Sequence, residues 1–269
     1  MKGHVLNIAP LESELKADPK LRPPFLQEMT RTQRNAWHQA YDPRNTRYRE
    51  LEKQGKLQGD ERNLYVYQRF IKDYVRCIDG LDAQIGRILH FLEKEDLAEN
   101  TLLVYSSDQG FFTGEHGWAE KRWMYEESFK SPLLMRWPGV IKPGSVIGDL
   151  VQNIDLAPTF LQAAGLDVPS TLHGLALQPL FSESGPKEWR EEVLYQYFDG
   201  GTLQKPGPYN MPRHEGIRNR RYKLISFYEY DAWEFYDLRN DPNELKNLIE
   251  DPLMTVSYTH LTLPTMLPV

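Results

Sequence analysis

The chain has 269 residues, of which 40% are hydrophobic and 26% charged, so its composition excludes an intrinsically disordered protein. Its 32 Lys and Arg against 38 Asp and Glu give a net charge of −6, which excludes a generally basic nucleic-acid-binding protein. A single cysteine excludes a disulfide framework and a cysteine-rich zinc site, and no apolar run approaches the roughly 20 residues of a membrane span.

The first third of the chain combines a polar segment with a periodic one. Residues 1–60 contain prolines at positions 10, 19, 23, 24 and 43, which predict an irregular segment without a long helix. In residues 62–95 apolar side chains recur at steps of three and four, which predicts a long amphipathic helix. Cys77 lies near the apolar face of that helix and is predicted to be a buried, unreactive thiol.

A short apolar run follows and ends in polar residues. Residues 102–105 are continuously apolar, as expected for a buried parallel strand, and residues 106–110 read SSDQG. Ligands of α/β sheets bind beyond the carboxyl ends of strands, so Asp108 and Gln109 lie where a site is expected.

Four positions near this strand end carry groups with possible chemistry. Asp108 and Gln109 are adjacent oxygen donors that suit a hard cation, although their spacing alone favours a turn or cap role for the aspartate. Lys121 could hold an oxyanion next to such a cation, but a lone lysine beside Arg122 is more often solvated. His116 lies in a glycine-rich loop, where a substrate-contacting role and a plain surface position are equally consistent with the sequence.

The rest of the chain predicts a second strand, a helix and a small sheet. Residues 131–139 indicate a second short buried strand, and residues 151–166 indicate a helix. Residues 240–251 predict a short closing helix, and residues 257–269 are predicted to be a non-native tail. The strands of the small antiparallel sheet are predicted at residues 193–198, 216–228 and 233–238.

These segments together resemble the C-terminal signature of type I, formylglycine-dependent sulfatases in the alkaline-phosphatase-like superfamily. The resemblance rests on YVRCIDGLDAQIGRILHFLEKEDLAENTLLVYSSDQG, on SSDQGFFTGEHGWAEKRWMYEESFKSPLLMRWPG, on VQNIDLAPTFLQAAGLDVPSTLHGLALQPLF and on GIRNRRYKLISFY with WEFYDLRNDPNELKNL. It implies an α/β fold with a mostly parallel sheet flanked by helices, present in part, followed by a small C-terminal antiparallel sheet with a helix. The implied domains are 1–190, the C-terminal part of the catalytic domain with 1–60 as an approach segment, and 191–256, the small sheet subdomain.

The resemblance also implies a reaction, hydrolysis of a sulfate ester with a formylglycine nucleophile and one Ca²⁺ ion, Mg²⁺ being less suited. Carried over by position, Asp108 and Gln109 match metal ligands, and Lys121 matches a catalytic lysine that contacts sulfate. The expected substrate is a sulfated carbohydrate, including a glycosaminoglycan sugar. The substrate-contacting candidates are His116 and His214, the latter expected in a loop over the site, with Trp118 and His173 as further candidates.

The chain departs from the family pattern in its nucleophile. The motif C/S-x-P/A-x-R, in which formylglycine is made, does not occur, and Cys77 does not fit it. The paired N-terminal aspartates of the family's metal site are also missing. The sequence therefore predicts a truncated sulfatase that is inactive alone, with the formylglycine expected in the missing N-terminal part and a periplasmic or secreted location implied by the family.

Two alternatives stay open. A phosphodiesterase or phosphonate hydrolase of the same superfamily would carry two transition metals. Such enzymes usually have a histidine ligand at the position that Gln109 occupies in this chain. An inactive sulfatase-like module that binds sulfated glycans is the non-enzymatic alternative. The sequence predicts no nucleic-acid partner and no membrane span, and it leaves the oligomeric state open.

Overall fold

The computed structural model describes residues 28–182, 184–199, 211–254 and Leu261. The described residues divide into two compact units. The first lies within Met1–Glu95 and Phe112–Ala119, and the second within Asp96–Phe111 and Glu120–Val269. The predicted tail 257–269 lies outside the described residues except for Leu261, which is buried.

The first unit begins with a helix where the sequence predicts irregular structure. Helix α1 spans Arg31–Lys53, so that prediction is wrong for these residues. Thr30 caps the helix, because its hydroxyl accepts a hydrogen bond from the Gln33 amide while the Gln33 side chain accepts one from the Thr30 amide. Pro43 lies inside the helix, and five residues later Tyr48 is buried in a cluster with Leu57 and Val66.

Helix α2 spans Gly59–Lys94 and confirms the periodic segment, beginning three residues before the predicted start. Much of its apolar side is exposed among the described residues, and Cys77 is exposed as well, so its predicted burial is wrong. The helix alone cannot cover its own apolar side. No helix among the described residues is both long and apolar enough to cross a membrane. The exposed apolar side chains of α2 are Leu64, Val75, Ile78, Leu81, Ile88 and Phe91.

The loop after this region contains two very short strands. Strand β2 spans Phe112–Thr113, strand β3 spans Ala119–Glu120, and a 3-10 turn lies between them at Glu115–Gly117.

The second unit contains the strand that the sequence places before Asp108. Strand β1 spans Leu103–Ser106 and pairs with strand β4, Leu133–Arg136, from Leu103 opposite Arg136 to Ser106 opposite Leu133. The pairing is antiparallel and most of the strand is half-buried, whereas the sequence predicts a buried parallel strand. Helix α3, Glu126–Phe129, lies in the chain between the two strands.

Helix α4 spans Leu156–Ala163 and confirms the helix predicted in 151–166. Asp155 precedes it and is fully buried, but its carboxylate accepts hydrogen bonds from the Gln152 and Leu175 amides and pairs with Arg190 instead of capping α4. Asp155 therefore ties the start of α4 to later parts of the chain.

The C-terminal sheet confirms the predicted small antiparallel sheet. Its order is β5-β6-β7-β8, and all neighbouring strands are antiparallel. Residues 216–228, predicted as one strand, form a hairpin, because the Asn219 side chain accepts hydrogen bonds from the Arg221 and Tyr222 amides and closes the turn. The strands are Glu192–Tyr197, His214–Asn219, Tyr222–Phe227 and Ala232–Asp237.

One face of this sheet packs an apolar cluster, which contains Ile217, Leu224, Phe235 and Leu261. The helix predicted at 240–251 is absent, and a 3-10 turn at Pro252–Met254 follows instead. Asn247 is the physical reason, because its side chain accepts hydrogen bonds from the Phe235 and Ile249 amides and holds the segment in a turn against the sheet.

Candidate functional site

The turn after β1 carries Asp108 and Gln109, and backbone hydrogen bonds fix it. The Gly110 amide donates to the Ser128 carbonyl oxygen at 2.8 Å, and Asn153 Nδ2 donates to the Asp108 carbonyl oxygen at 3.0 Å. The backbone of this turn is thus held by two different segments, while the Asp108 side chain is exposed.

Gly110 is required for this arrangement. A Cβ atom at this position would lie 2.8 Å from the Lys130 carbonyl oxygen and closer still to that of Glu127. Both of these carbonyl oxygens are backbone atoms, so relieving the steric clash would require a shift of the main chain. The turn can therefore approach α3 this closely only with glycine at position 110.

Lys121 lies in the segment between β3 and α3 and is half-buried. Within the part of the chain that the structure describes, no hydrogen bond or ion pair involves its ammonium group. The neighbouring Arg122 differs, because its Nη1 lies 2.6 Å from Glu120 Oε2. Lys121 is therefore the cation of this segment that a ligand can engage without first breaking an ion pair.

A cavity of about 920 Å³ brings Asp108, Gln109 and Lys121 together within the second unit. Its cationic lining residues outnumber its carboxylates. Two of the carboxylates are already neutralised, since Arg218 pairs with Glu126 and Arg220 with Asp149. Because Arg122 pairs with Glu120 as well, Lys121 and Lys130 remain against the Asp108 carboxylate among the described lining residues, and this remaining positive charge favours an anionic ligand. The cationic lining residues are Lys121, Arg122, Lys130, Arg218 and Arg220, and the carboxylates are Asp108, Glu126 and Asp149.

The oxygen ligands near the turn are of the type that a hard cation prefers, but there are too few of them for a complete coordination shell. The Asp108 carboxylate and the Gln109 side-chain amide oxygen are the ligand types that Ca²⁺ prefers. Among the described residues, no group of three or more His, Cys, Asp or Glu side chains is placed to hold a metal ion. Because Ca²⁺ takes about six to eight oxygen ligands, these two residues supply a minority of a complete set.

His116 belongs to the first unit and is not one of the residues that line the cavity. It adopts a left-handed backbone with φ of 54°, and its ring lies 5.9 Å from that of Phe112 and 5.8 Å from that of Trp118. The ring is half-buried against aromatic neighbours. The substrate contact of His116 stays a prediction.

His214 is not in a loop, so its predicted position is wrong. It is the first residue of β6, fully buried, with Nδ1 3.0 Å from the Pro212 carbonyl oxygen. Burial lowers its pKa to about 4, so the ring is neutral near pH 7. Its Nε2 has no hydrogen-bond partner among the described residues. The surrounding rings, which give His214 a packing role here, are those of Trp123, Tyr195, Tyr197 and Phe227.

Several residues of the cavity were not identified from the sequence. Asn153 and Ser128 hold the turn and the Lys121 segment through hydrogen bonds to the backbone, and Tyr195 comes from the distant strand β5. Isolated Asn, Ser and Tyr residues carry no sequence signal for such contacts. Only the three-dimensional arrangement reveals them.

Comparison with known proteins gives two family matches. Residues 20–166 match the family described as "Sulfatase", and residues 114–264 match the family described as "N-sulphoglucosamine sulphohydrolase, C-terminal". The chain is 42% identical over 215 residues to an N-acetylglucosamine-6-O-sulfatase of Bacteroides thetaiotaomicron, and this match covers 79% of the chain and 37% of that protein.

Solved structures agree with this similarity. The structure of BT4656 in complex with its substrate D-glucosamine-2-N,6-O-disulfate has a TM-score of 0.79 and 38% identity, covering 88% of this chain and 47% of that one. A phosphonate monoester hydrolase from Silicibacter pomeroyi has a TM-score of 0.60 and 26% identity, covering 67% of this chain and 37% of that one. The chain therefore spans between a third and a half of the length of these relatives.

Proposed function

Because this chain belongs to the sulfatase family, we propose that it forms part of an enzyme that hydrolyses a sulfate ester on an amino sugar. One observation carries the proposal. Asp108, Gln109 and Lys121, which resemble the family's site residues, line a single cavity with an excess of positive charge. The relatives' names supply the substrate class, a glucosamine that carries sulfate at O6.

In the proposed site, Lys121 binds the sulfate group of the substrate through a charge-assisted hydrogen bond to a non-bridging oxygen. Asp108 and Gln109 would hold Ca²⁺, which supplies electrophilic stabilisation of the sulfate oxygens when bound. The turn at Gly110 and the contact from Asn153 keep these two ligands in fixed backbone positions. The nucleophile is not among these residues, because the chain has no C/S-x-P/A-x-R motif.

The proposal is tested by titrating the full 269-residue chain with glucosamine 6-sulfate, with unsulfated glucosamine as the reference, by isothermal titration calorimetry. We expect binding of the sulfated sugar alone. Lys121→Met should weaken it about tenfold, the equivalent of one charge-assisted hydrogen bond. Lys187→Met is the matched control, because Lys187 is exposed and outside the cavity lining. Equal affinity for both sugars would contradict the proposal.

The same chain is expected to show no turnover of glucosamine 6-sulfate or of an aryl sulfate, because it lacks the nucleophile motif. Sulfate release above that of a buffer blank would show that another residue acts as nucleophile. A Lys121→Met variant would then show whether that activity uses the proposed site.

Phosphonate ester hydrolysis is the second candidate, since a phosphonate monoester hydrolase is among the similar structures. Gln109 favours the sulfatase, because an amide oxygen suits Ca²⁺ while histidine suits Mn²⁺ or Zn²⁺. Titrations with added Ca²⁺ or Mn²⁺ distinguish the two. We expect Ca²⁺ to strengthen binding of the sulfated sugar, and an effect of Mn²⁺ alone would favour the phosphonate hydrolase.

A further inference from the structure

The backbone on both sides of Lys121 has an unusual conformation. Glu120 and Arg122 both have φ of 91°, in the left-handed region that residues with a Cβ atom rarely adopt. Neither position is glycine, so both residues are strained, and such strain persists only where surrounding contacts hold the backbone in place. The contacts that hold this segment therefore determine where Lys121 lies.

Arg122 is held at both ends of its own backbone. Its amide donates to the Ser128 hydroxyl oxygen at 2.8 Å, and its carbonyl oxygen accepts a hydrogen bond from the Tyr195 hydroxyl at 2.8 Å. Ser128 is only 4% exposed, and the Tyr195 ring packs edge-on against Phe129 at 5.5 Å. Both partners are thus fixed by their own packing, as the support of a precise site requires.

Ser128 also holds the other half of the site. Its carbonyl oxygen accepts the hydrogen bond from the Gly110 amide, next to Gln109. One residue therefore fixes the segment of Lys121 with its side chain and the turn of Asp108 and Gln109 with its backbone. Ser128 therefore links the two segments directly.

We propose that Ser128 and Tyr195 are positioning residues of the sulfate site, which hold Lys121 in a strained backbone conformation and in register with Asp108 and Gln109. The inference rests on the proposed function for the ligand, but the arrangement of hydrogen bonds that it describes does not. Neither side chain needs to touch the substrate. Their effect on binding passes through the Arg122 backbone.

The test compares four variants of the full chain. Ser128→Ala and Tyr195→Phe each remove one hydrogen bond to Arg122, whereas Ser128→Thr keeps a hydroxyl at the same place. Tyr236→Phe is the matched control, because it removes a hydroxyl hydrogen bond to Glu234, away from Arg122. Two quantities are measured for each: the dissociation constant for glucosamine 6-sulfate, and amide hydrogen exchange at Arg122 and Gly110.

We expect Ser128→Ala to weaken binding about tenfold and Tyr195→Phe about fivefold, fold-changes typical of a misplaced charge-assisted contact. Exchange at Arg122 should rise in both variants, whereas exchange at Gly110 should stay unchanged in Ser128→Ala, because its acceptor is the Ser128 backbone carbonyl, which alanine keeps. Ser128→Thr should restore binding even if it lowers stability as much as the alanine variant does. Tyr236→Phe should change neither quantity.

Unchanged exchange at Arg122 in Ser128→Ala would overturn the inference, as would unchanged binding together with raised exchange. A loss of binding in Ser128→Thr equal to that in Ser128→Ala would also overturn it, because a structural defect rather than the hydroxyl would then be responsible. If the wild-type chain binds no sulfated sugar, the proposed function fails, and the exchange measurement alone decides whether these residues hold Arg122.

Discussion

Replacing Lys223 by methionine is expected to destabilise the second unit by about 3–5 kcal/mol, the range for breaking a buried ion pair on one side. Lys223 lies in β7 and is fully buried. Its ammonium lies 2.9 Å from Glu126 Oε1 and 2.7 Å from Glu244 Oε1, and it donates to the Met124 carbonyl oxygen at 2.6 Å. The sheet is thereby tied to the segment that follows Lys121.

The loss should come mainly from Glu244. Without Lys223, Glu126 keeps its two hydrogen bonds from Arg218, whereas Glu244 keeps the hydrogen bond from the Glu126 amide. Burial already raises the pKa of Glu244, an effect that Lys223 partly offsets. In the Lys223→Met variant the pKa of Glu244 rises further, so the folded variant binds a proton at Glu244 more readily than the folded wild type. The difference in free energy of unfolding between wild type and variant therefore shrinks as pH falls from 7 towards 5.

The assay is urea unfolding followed by tryptophan fluorescence at pH 7 and pH 5. Adding Glu244→Gln to Lys223→Met should recover about 2 kcal/mol, because glutamine removes the unpaired charge and keeps an acceptor for the Glu126 amide. A loss below about 1 kcal/mol in the single variant, or no recovery in the double variant, would refute a buried ion pair that holds this segment.

Three further predictions concern stability. The pKa of His214 is lowered to about 4 from an ordinary 6.5, so the unfolded chain binds more protons than the folded chain between these pH values. The free energy of unfolding should therefore fall by about 3 kcal/mol as pH drops through this range. His214→Phe should remove this pH dependence in urea unfolding, and an equal pH dependence in the variant and the wild type would contradict it. Gly110→Ala should cost about 1–3 kcal/mol and abolish binding of the sulfated sugar, whereas Gly86→Ala, in an open helix position, should gain about 0.5–1 kcal/mol. Arg190→Met should cost about 3 kcal/mol by thermal unfolding, because it leaves the fully buried Asp155 carboxylate without its cation, and a shift within error would show that the pair adds nothing.

Local signals in the sequence were sufficient for most of the elements. Apolar periodicity predicted helix α2, and the short apolar run before Asp108 predicted β1. Side-chain hydrogen bonds to the backbone account for the misses, since the Thr30 cap begins an unpredicted helix and the Asn219 turn splits one predicted strand into two. Such contacts depend on one or two atoms and leave little trace in residue patterns.

The candidate site was predictable where the chemistry resides in residue type. Asp108, Gln109 and Lys121 were named from the sequence and line one cavity, while their roles stay a prediction. Burial was harder to predict, because His214 lies in a polar stretch of sequence yet its side chain is enclosed by aromatic rings. Cys77 is the opposite case, because it was predicted to be buried and is exposed. The apolar side of a helix need not be covered by the residues that the structure describes.

The most direct test of the central claim is an NMR titration of the full chain with glucosamine 6-sulfate, observed through backbone amides. We expect the largest shift changes at Asp108, Gln109 and Lys121. Shifts confined to residues outside the cavity, or equal shifts with unsulfated glucosamine, would contradict the claim that this cavity binds a sulfate ester.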